Sequence, residues 1–210
     1  MGKLIVLTEQ LADRARPRAH ARPTFFFDLA CPFSYLAAER VERLFGDVEW
    51  VPVAGPLHGH ADGIGLRAAA GARARELRLP LVWPESFPAD ARAALRAAVR
   101  ATQVGVGSRF ALAAARLAFC GGFDLEDPEV LAEAAAASGF ALQECIAAGG
   151  NQELDVSLHA TARGLVARGV GRLPAIRVRH GLFAGEALLS QAAAVSRAAA
   201  GYESSAFPWG

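Results

Sequence analysis

The stretch Thr24–Phe45, TFFFDLACPFSYLAAERVERLF, constrains the fold of this chain more than any other. Thr24-Phe25-Phe26-Phe27 is an apolar, β-favouring run and predicts a buried strand. Asp28-Leu29-Ala30 leaves the strand, and Cys31-Pro32-Phe33-Ser34 opens a helix. On that helix Tyr35, Ala38, Val41, Leu44 and Phe45 share one face, while Glu39, Arg40, Glu42 and Arg43 occupy the other. Proline suits a first helical position, because the amide hydrogen it lacks would have no partner there. Cys31 then falls at the cap, where first-turn amides and the positive end of the helix dipole point toward its sulfur. Those surroundings predict a lowered thiol pKa and a reactive thiolate.

With 210 residues, 53% hydrophobic and 20% charged, the chain has the composition of a globular enzyme. A net charge of +1 gives no sign of a nucleic-acid partner. The longest apolar runs, such as Ala111–Ala115, fall far short of the roughly 20 residues that cross a membrane. Three cysteines, Cys31, Cys120 and Cys145, are too few and odd in number for a disulfide framework. Leu4-Ile5-Val6-Leu7 is too short for the apolar region of a secretory signal, so the expected location is cytoplasmic, with reduced thiols.

In chain order, residues 1–23 read as a basic surface arm with a short strand at Leu4–Leu7. Gly46-Asp47 turns the chain into a second strand, Val48–Val53, completing a βαβ unit with a parallel strand pair. A glycine- and histidine-rich loop, Gly55–Gly65, leads into a helical middle. Its predicted helices are Leu66–Leu77, Ala91–Gln103 (capped by Asp90), Ser108–Cys120, Asp127–Ser138, Leu142–Ala147 and Asn151–Arg168. Trp83-Pro84 and Phe87-Pro88 are expected to be extended. β texture returns with Pro174–Arg179, a His180-Gly181 turn and Leu182–Ala184, and a last helix follows over Ala187–Ala199.

This order resembles a thioredoxin-like α/β fold with a large all-helical insertion, as in the DsbA family, and in particular its branch of 2-hydroxychromene-2-carboxylate isomerases and kappa-class glutathione transferases. The motifs that carry the resemblance are FFFDLACPFSYLAAERV, then Gly169–Pro174, then Phe183-Ala184-Gly185-Glu186. It implies a thioredoxin-like domain over 24–57 and 171–201, a helical insertion over 58–170 and a tail over 202–210. It also implies a site. Cys31 stands where disulfide oxidoreductases have their nucleophilic cysteine, a position usually held by serine in the isomerase and transferase branch. Ser34 stands where a Cys-x-x-Cys pair has its second cysteine. Leu173, before a cis Pro174, would offer its backbone to bound glutathione, and Glu186 would hold the γ-glutamyl amine.

The leading expectation is therefore a cytoplasmic thiol oxidoreductase. It would use Cys31 alone, assisted by Ser34, with glutathione or a similar small thiol as cosubstrate. Two alternatives stand beside it: a glutathione-dependent isomerase or transferase in which Cys31 or Ser34 only polarises the bound thiol, and a non-catalytic binding protein. A homodimer is carried as a partner. Cys120 and Cys145 read as packing residues. His58, His60 and Asp62 have metal-binding spacing but no evident further ligand, so no metal is expected. Arg67, Arg73, Arg75 and Arg78 read as a solvated helix face that could also meet an anionic substrate.

Overall fold

Alternation along Thr24–Phe27 decides how the sheet is covered. Phe25 and Phe27 point to one face, where Trp50 meets them edge-on at 5.0 and 5.7 Å between ring centroids. Phe26 points to the other face, into a smaller core with Val53, Leu165, Val170, Leu173 and Ala175. The chain is described here from a computed structural model covering residues 22–55 and 63–205. The predicted Leu4–Leu7 strand, His20, the His58/His60/Asp62 group and the last five residues lie outside the described residues.

The sheet has four strands in the order β2-β1-β3-β4, with β1 at Thr24–Phe27, β2 at Glu49–Pro52, β3 at Ala175–Val178 and β4 at Gly181–Ala184. β1 pairs parallel with β2 (Phe26 opposite Val51) and antiparallel with β3 (Phe25 opposite Ile176). β3 and β4 form the expected hairpin, in which Arg179 takes a left-handed conformation at the turn. The helix between β1 and β2, α1 (Pro32–Phe45), lies on the Phe25/Phe27 face and stops at Gly46, whose φ of 75° suits glycine.

Between β2 and β3 run α2 (Gly63–Leu77), α3 (Arg92–Gln103), α4 (Gly107–Arg116), α5 (Pro128–Ser138), α6 (Leu142–Gly150) and α7 (Asp155–Val166). Alanine lets these helices approach closely: Ala94, Ala97, Ala98 and Ala101 of α3 are all buried. Asp127 caps α5 by accepting from the Glu129 amide (2.8 Å), and Gly139 ends it at φ 72°. Arg96 of α3 holds Asp155 at the start of α7 through two hydrogen bonds of 2.6 and 2.7 Å. A single-turn helix, Glu186–Leu188, then leads into α8 (Leu189–Ser205).

Several predicted helix boundaries shift: α2 starts at Gly63 instead of Leu66, and the last helix runs Leu189–Ser205 instead of Ala187–Ala199. The Ser108–Cys120 helix becomes α4 followed by one wider turn, Leu117–Gly121. α6 continues through Gly149 and Gly150, because a close neighbour rather than a turn demands a small residue there: a Cβ on Gly149 would sit 3.2 Å from Leu131 and 3.4 Å from the Ala93 carbonyl. The helix expected from Asn151 begins instead with a tight turn, Gln152–Leu154, capped by the Asn151 side chain, and α7 ends at Val166.

Candidate functional site

The turn after β1 is built by Asp28. Its carbonyl accepts from the Cys31 amide (3.1 Å), its Oδ1 accepts from the Ala30 amide (2.8 Å), and its own amide donates to Ser34 Oγ (3.2 Å). Asp28 is buried, although the sequence marks it only as the residue that leaves the strand. Cys31 follows in extended conformation (φ −100°, ψ 115°), as a residue before proline must, and caps α1. Its carbonyl accepts from the Ser34 and Tyr35 amides at 3.0 and 3.2 Å. The Cys31 sulfur turns inward and donates to the Leu173 carbonyl at 3.8 Å. The Leu173–Pro174 peptide is cis. The structure thus brings Cys31, Ser34, Leu173 and Pro174 into one cluster from chain segments far apart in sequence.

The expected lowering of the Cys31 pKa is corrected. Burial, reinforced by the Asp28 charge, pushes the thiol up to about 11, and the Ser34 hydroxyl with the Ser34 and Phe33 amides only partly offsets this. The helix terminus is present, but the sulfur is nearly out of water, and lost hydration penalises the thiolate more than the first-turn amides favour it. The resting group at neutral pH is the thiol.

Glu186 sits one residue beyond this cluster. The Gly185 amide donates to the Pro174 carbonyl at 2.7 Å, joining the two segments. The Glu186 carboxylate, 2% exposed, accepts from Arg40 of α1 and from Arg73 of α2, whose Nε is at 2.5 Å and Nη2 at 3.2 Å. Arg40 also donates to Ser190 (3.3 Å), and Arg73 to Glu76 (2.7 Å). Both Glu186 oxygens are therefore engaged by guanidinium groups. The sequence placed Arg40 on a solvated face, and nothing local to it signals a partner on α8's leading turn. Of the other arginines grouped with Arg73, Arg67 lies over the Trp83 and Phe87 rings at 5.1 and 5.2 Å, and Arg75 bonds back to the Gly71 carbonyl.

The remaining cysteines differ from each other. Cys145 is buried, bonds the Leu131 carbonyl at 3.8 Å, and is pushed up to about 11 by burial. Cys120 is half-buried and meets the Tyr35 hydroxyl at 2.9 Å, which also donates to the Pro80 carbonyl at 2.9 Å. A cleft of about 440 Å³ lies elsewhere, between α4 and α5, lined by Leu112, Leu117 and Ala137 with Arg109 and Glu133 at its rim, and does not reach Cys31. Among the described residues no group of three or more His, Cys, Asp or Glu could hold a metal ion, and no helix is long and apolar enough to cross a membrane.

Comparison with known proteins gives the same architecture. Residues 24–193 match the DSBA-like thioredoxin domain. A 2-hydroxychromene-2-carboxylate isomerase superposes with a TM-score of 0.70 at 13% identity, covering 88% of this chain and 98% of that one. A probable DsbA oxidoreductase from Streptomyces coelicolor gives 0.64 at 20% identity, with 85% and 91% covered. The cytosolic disulfide reductase DsbM from Pseudomonas aeruginosa, solved with GSH, gives 0.63 at 18% identity, with 87% and 98% covered. Among curated proteins none matches the sequence.

Proposed function

This chain belongs to the DSBA-like thioredoxin domain family, and we propose that it is a cytoplasmic thiol oxidoreductase in which Cys31 works alone with glutathione or a similar small thiol. The observation that carries this reading is the placement of the Cys31 sulfur, at the first turn of α1 and 3.8 Å from the Leu173 carbonyl beside cis Pro174. Ser34 at the motif's fourth position leaves Cys31 no partner for a disulfide within the motif. An extended thiol-bearing chain would pair with the Leu173 backbone in place of the Cys31 thiol, which in this structure donates to the Leu173 carbonyl.

The exchange has two halves. Cys31, once deprotonated, attacks a disulfide sulfur; a Cys31 mixed disulfide forms, and the departing thiolate takes up the proton that Cys31 gave up. A second small-thiol thiolate then attacks the other sulfur of that mixed disulfide. A new small-molecule disulfide leaves, and the Cys31 thiolate is reprotonated. Each turnover exchanges one disulfide for another: the substrate disulfide gives up one thiol, and the small thiol takes its place in the disulfide that leaves; where the substrate is a mixed disulfide of the small thiol, the products are the freed thiol and the small-molecule disulfide. Ser34 steadies the Cys31 thiolate in between, since its hydroxyl favours the charged sulfur.

Intact-mass analysis after incubating the reduced protein with glutathione disulfide tests this. One glutathione adduct is expected on Cys31, removed again by glutathione and absent from Cys31→Ala. An adduct confined to Cys120, or none, would overturn the reading. A second reading is favoured by the protonated state of Cys31. A buried thiol is a hydrogen-bond donor, and it could polarise a bound glutathione thiolate for isomerase or transferase chemistry. That reading expects glutathione-dependent turnover of an electrophilic aromatic substrate that survives Cys31→Ser.

A further inference from the structure

The cleft between α4 and α5 combines an apolar floor with charges of both signs. Arg109, Leu112, Ala113 and Arg116 recur at i, i+3, i+4 and i+7 along α4 and so share one face, while Glu133 and Ala137 stand one turn apart on α5. Ala113 and Ala137 are too small to fill the space between the two backbones. α4 then widens into the turn Leu117–Gly121, and about 440 Å³ stays open. Where Gly121 lines the cleft, the half-exposed Phe123 ring lies against it, since a Cβ on Gly121 would come within 2.4 Å of that ring. Arg116 is already neutralised: its Nε and Nη2 donate to the two Glu39 oxygens at 2.6 and 2.7 Å. Arg109 and Glu133 are exposed, and among the described residues neither has an ion pair, with each other or with a third group.

We propose that this cleft is a second ligand site, separate from Cys31, and that it takes an apolar α-amino acid as its zwitterion. The carboxylate meets Arg109, the ammonium meets Glu133, and the side chain covers Leu112 and Leu117. A cation and an anion that line one cavity without pairing suit a ligand that carries both charges. Each contact displaces water and breaks no bond within the protein. The planar fork of Arg109 offers a carboxylate two parallel hydrogen bonds. An apolar acid without an amine would bring its charge beside Glu133, and an apolar amine without a carboxylate would face Arg109 unpaired, so either alone meets a like charge. A ligand with no apolar body would leave the leucine floor in water, and burial of that floor supplies most of the binding. The volume lies within the range of about 300–1,000 Å³ typical of small-molecule sites and admits a side chain as large as an indole. The proposal does not depend on the chemistry of Cys31.

Calorimetric titration of the full chain with L-tryptophan tests this, beside indole-3-propionate, which lacks only the ammonium, and tryptamine, which lacks only the carboxylate. L-Tryptophan is expected to bind with a Kd on the order of 1 mM, as its size allows. Each analogue should bind about threefold to fivefold more weakly, the worth of one exposed charged contact. Arg109→Gln should bring L-tryptophan down to the affinity of tryptamine, and Glu133→Gln down to that of indole-3-propionate. Neither residue has an ion pair to lose among the described residues, so both variants should fold as the wild type does. Ala137→Trp, made at an exposed position, fills the cleft and should abolish binding. Cys31→Ser should bind like the wild type, which separates this site from the thiol chemistry. Absence of saturable binding up to about 10 mM would overturn the proposal, since a ligand of this size held at both ends binds more tightly than that. So would an analogue that binds as tightly as L-tryptophan, affinity unchanged in Ala137→Trp, or affinity lost in Cys31→Ser.

Discussion

At Cys31 the competition is between a helix terminus and burial, and burial wins. Native-state alkylation by iodoacetamide should therefore titrate with a midpoint near 11. At neutral pH it should run about a hundredfold slower than for an ordinary exposed thiol, two pH units being two decades of thiolate. Asp28→Asn removes the charge that adds to the upward shift, so its midpoint should fall below that of the wild type in the same assay. The sign for stability follows. The contribution from keeping this thiol protonated is complete below about pH 9 and is lost as pH rises toward 11, where the unfolded chain releases a proton that the native site retains. The position of Cys31 was legible in the sequence, since a strand, a cap and a proline all pointed to it. Its ionisation was not, because that depends on the Leu173 loop closing over the sulfur and on Asp28 being buried.

Single elements were read well where their ends carry their own chemistry. Asp127 with Pro128, Gly139, and Gly46 after Phe45 each mark a boundary through a local backbone requirement. Gly149 misled, because a glycine demanded by a neighbouring helix looks the same in sequence as one demanded by a turn. Gly107, the first residue of α4, belongs to the same class. A Cβ there would lie 2.8 Å from Thr102 Cα and 2.5 Å from its Oγ1. Gly107→Ala should lower stability by about 1–3 kcal/mol, as overpacking does, seen as a reduced urea midpoint without a change of slope. Gly185 has a conformational requirement as well, at φ 101°. Gly185→Ala should cost about 1–2 kcal/mol from the left-handed backbone alone, and thermal unfolding will show it.

Across the whole molecule, Glu186 joins three elements that share no local sequence signal: α1 through Arg40, α2 through Arg73, and the turn leading into α8. These pairs are 146 and 113 residues apart in the chain. Removing the carboxylate leaves two guanidiniums facing each other in a mostly buried space. Glu186→Ala should then cost about 3–5 kcal/mol, more than Arg73→Gln, whose loss leaves the Arg40–Glu186 pair intact; paired denaturation curves decide the order. Sequence periodicity identified the strands, the helical block and their order. The partners across that block were out of its reach, because it reports which face is buried and not what buries it.

The bond between the Cys31 sulfur and the Leu173 carbonyl spans 142 residues. On a ribosome adding roughly 5–20 residues per second, the turn that bears Cys31 emerges on the order of ten seconds before the segment that closes it. β2 can pair with β1 early in that interval, but the other edge of Phe25-Phe26-Phe27 stays open until β3 is made. For that time the nascent chain exposes an unpaired aromatic strand and an uncovered thiol together. A chaperone that shields apolar strands during synthesis should raise the yield of the reduced, correctly closed protein.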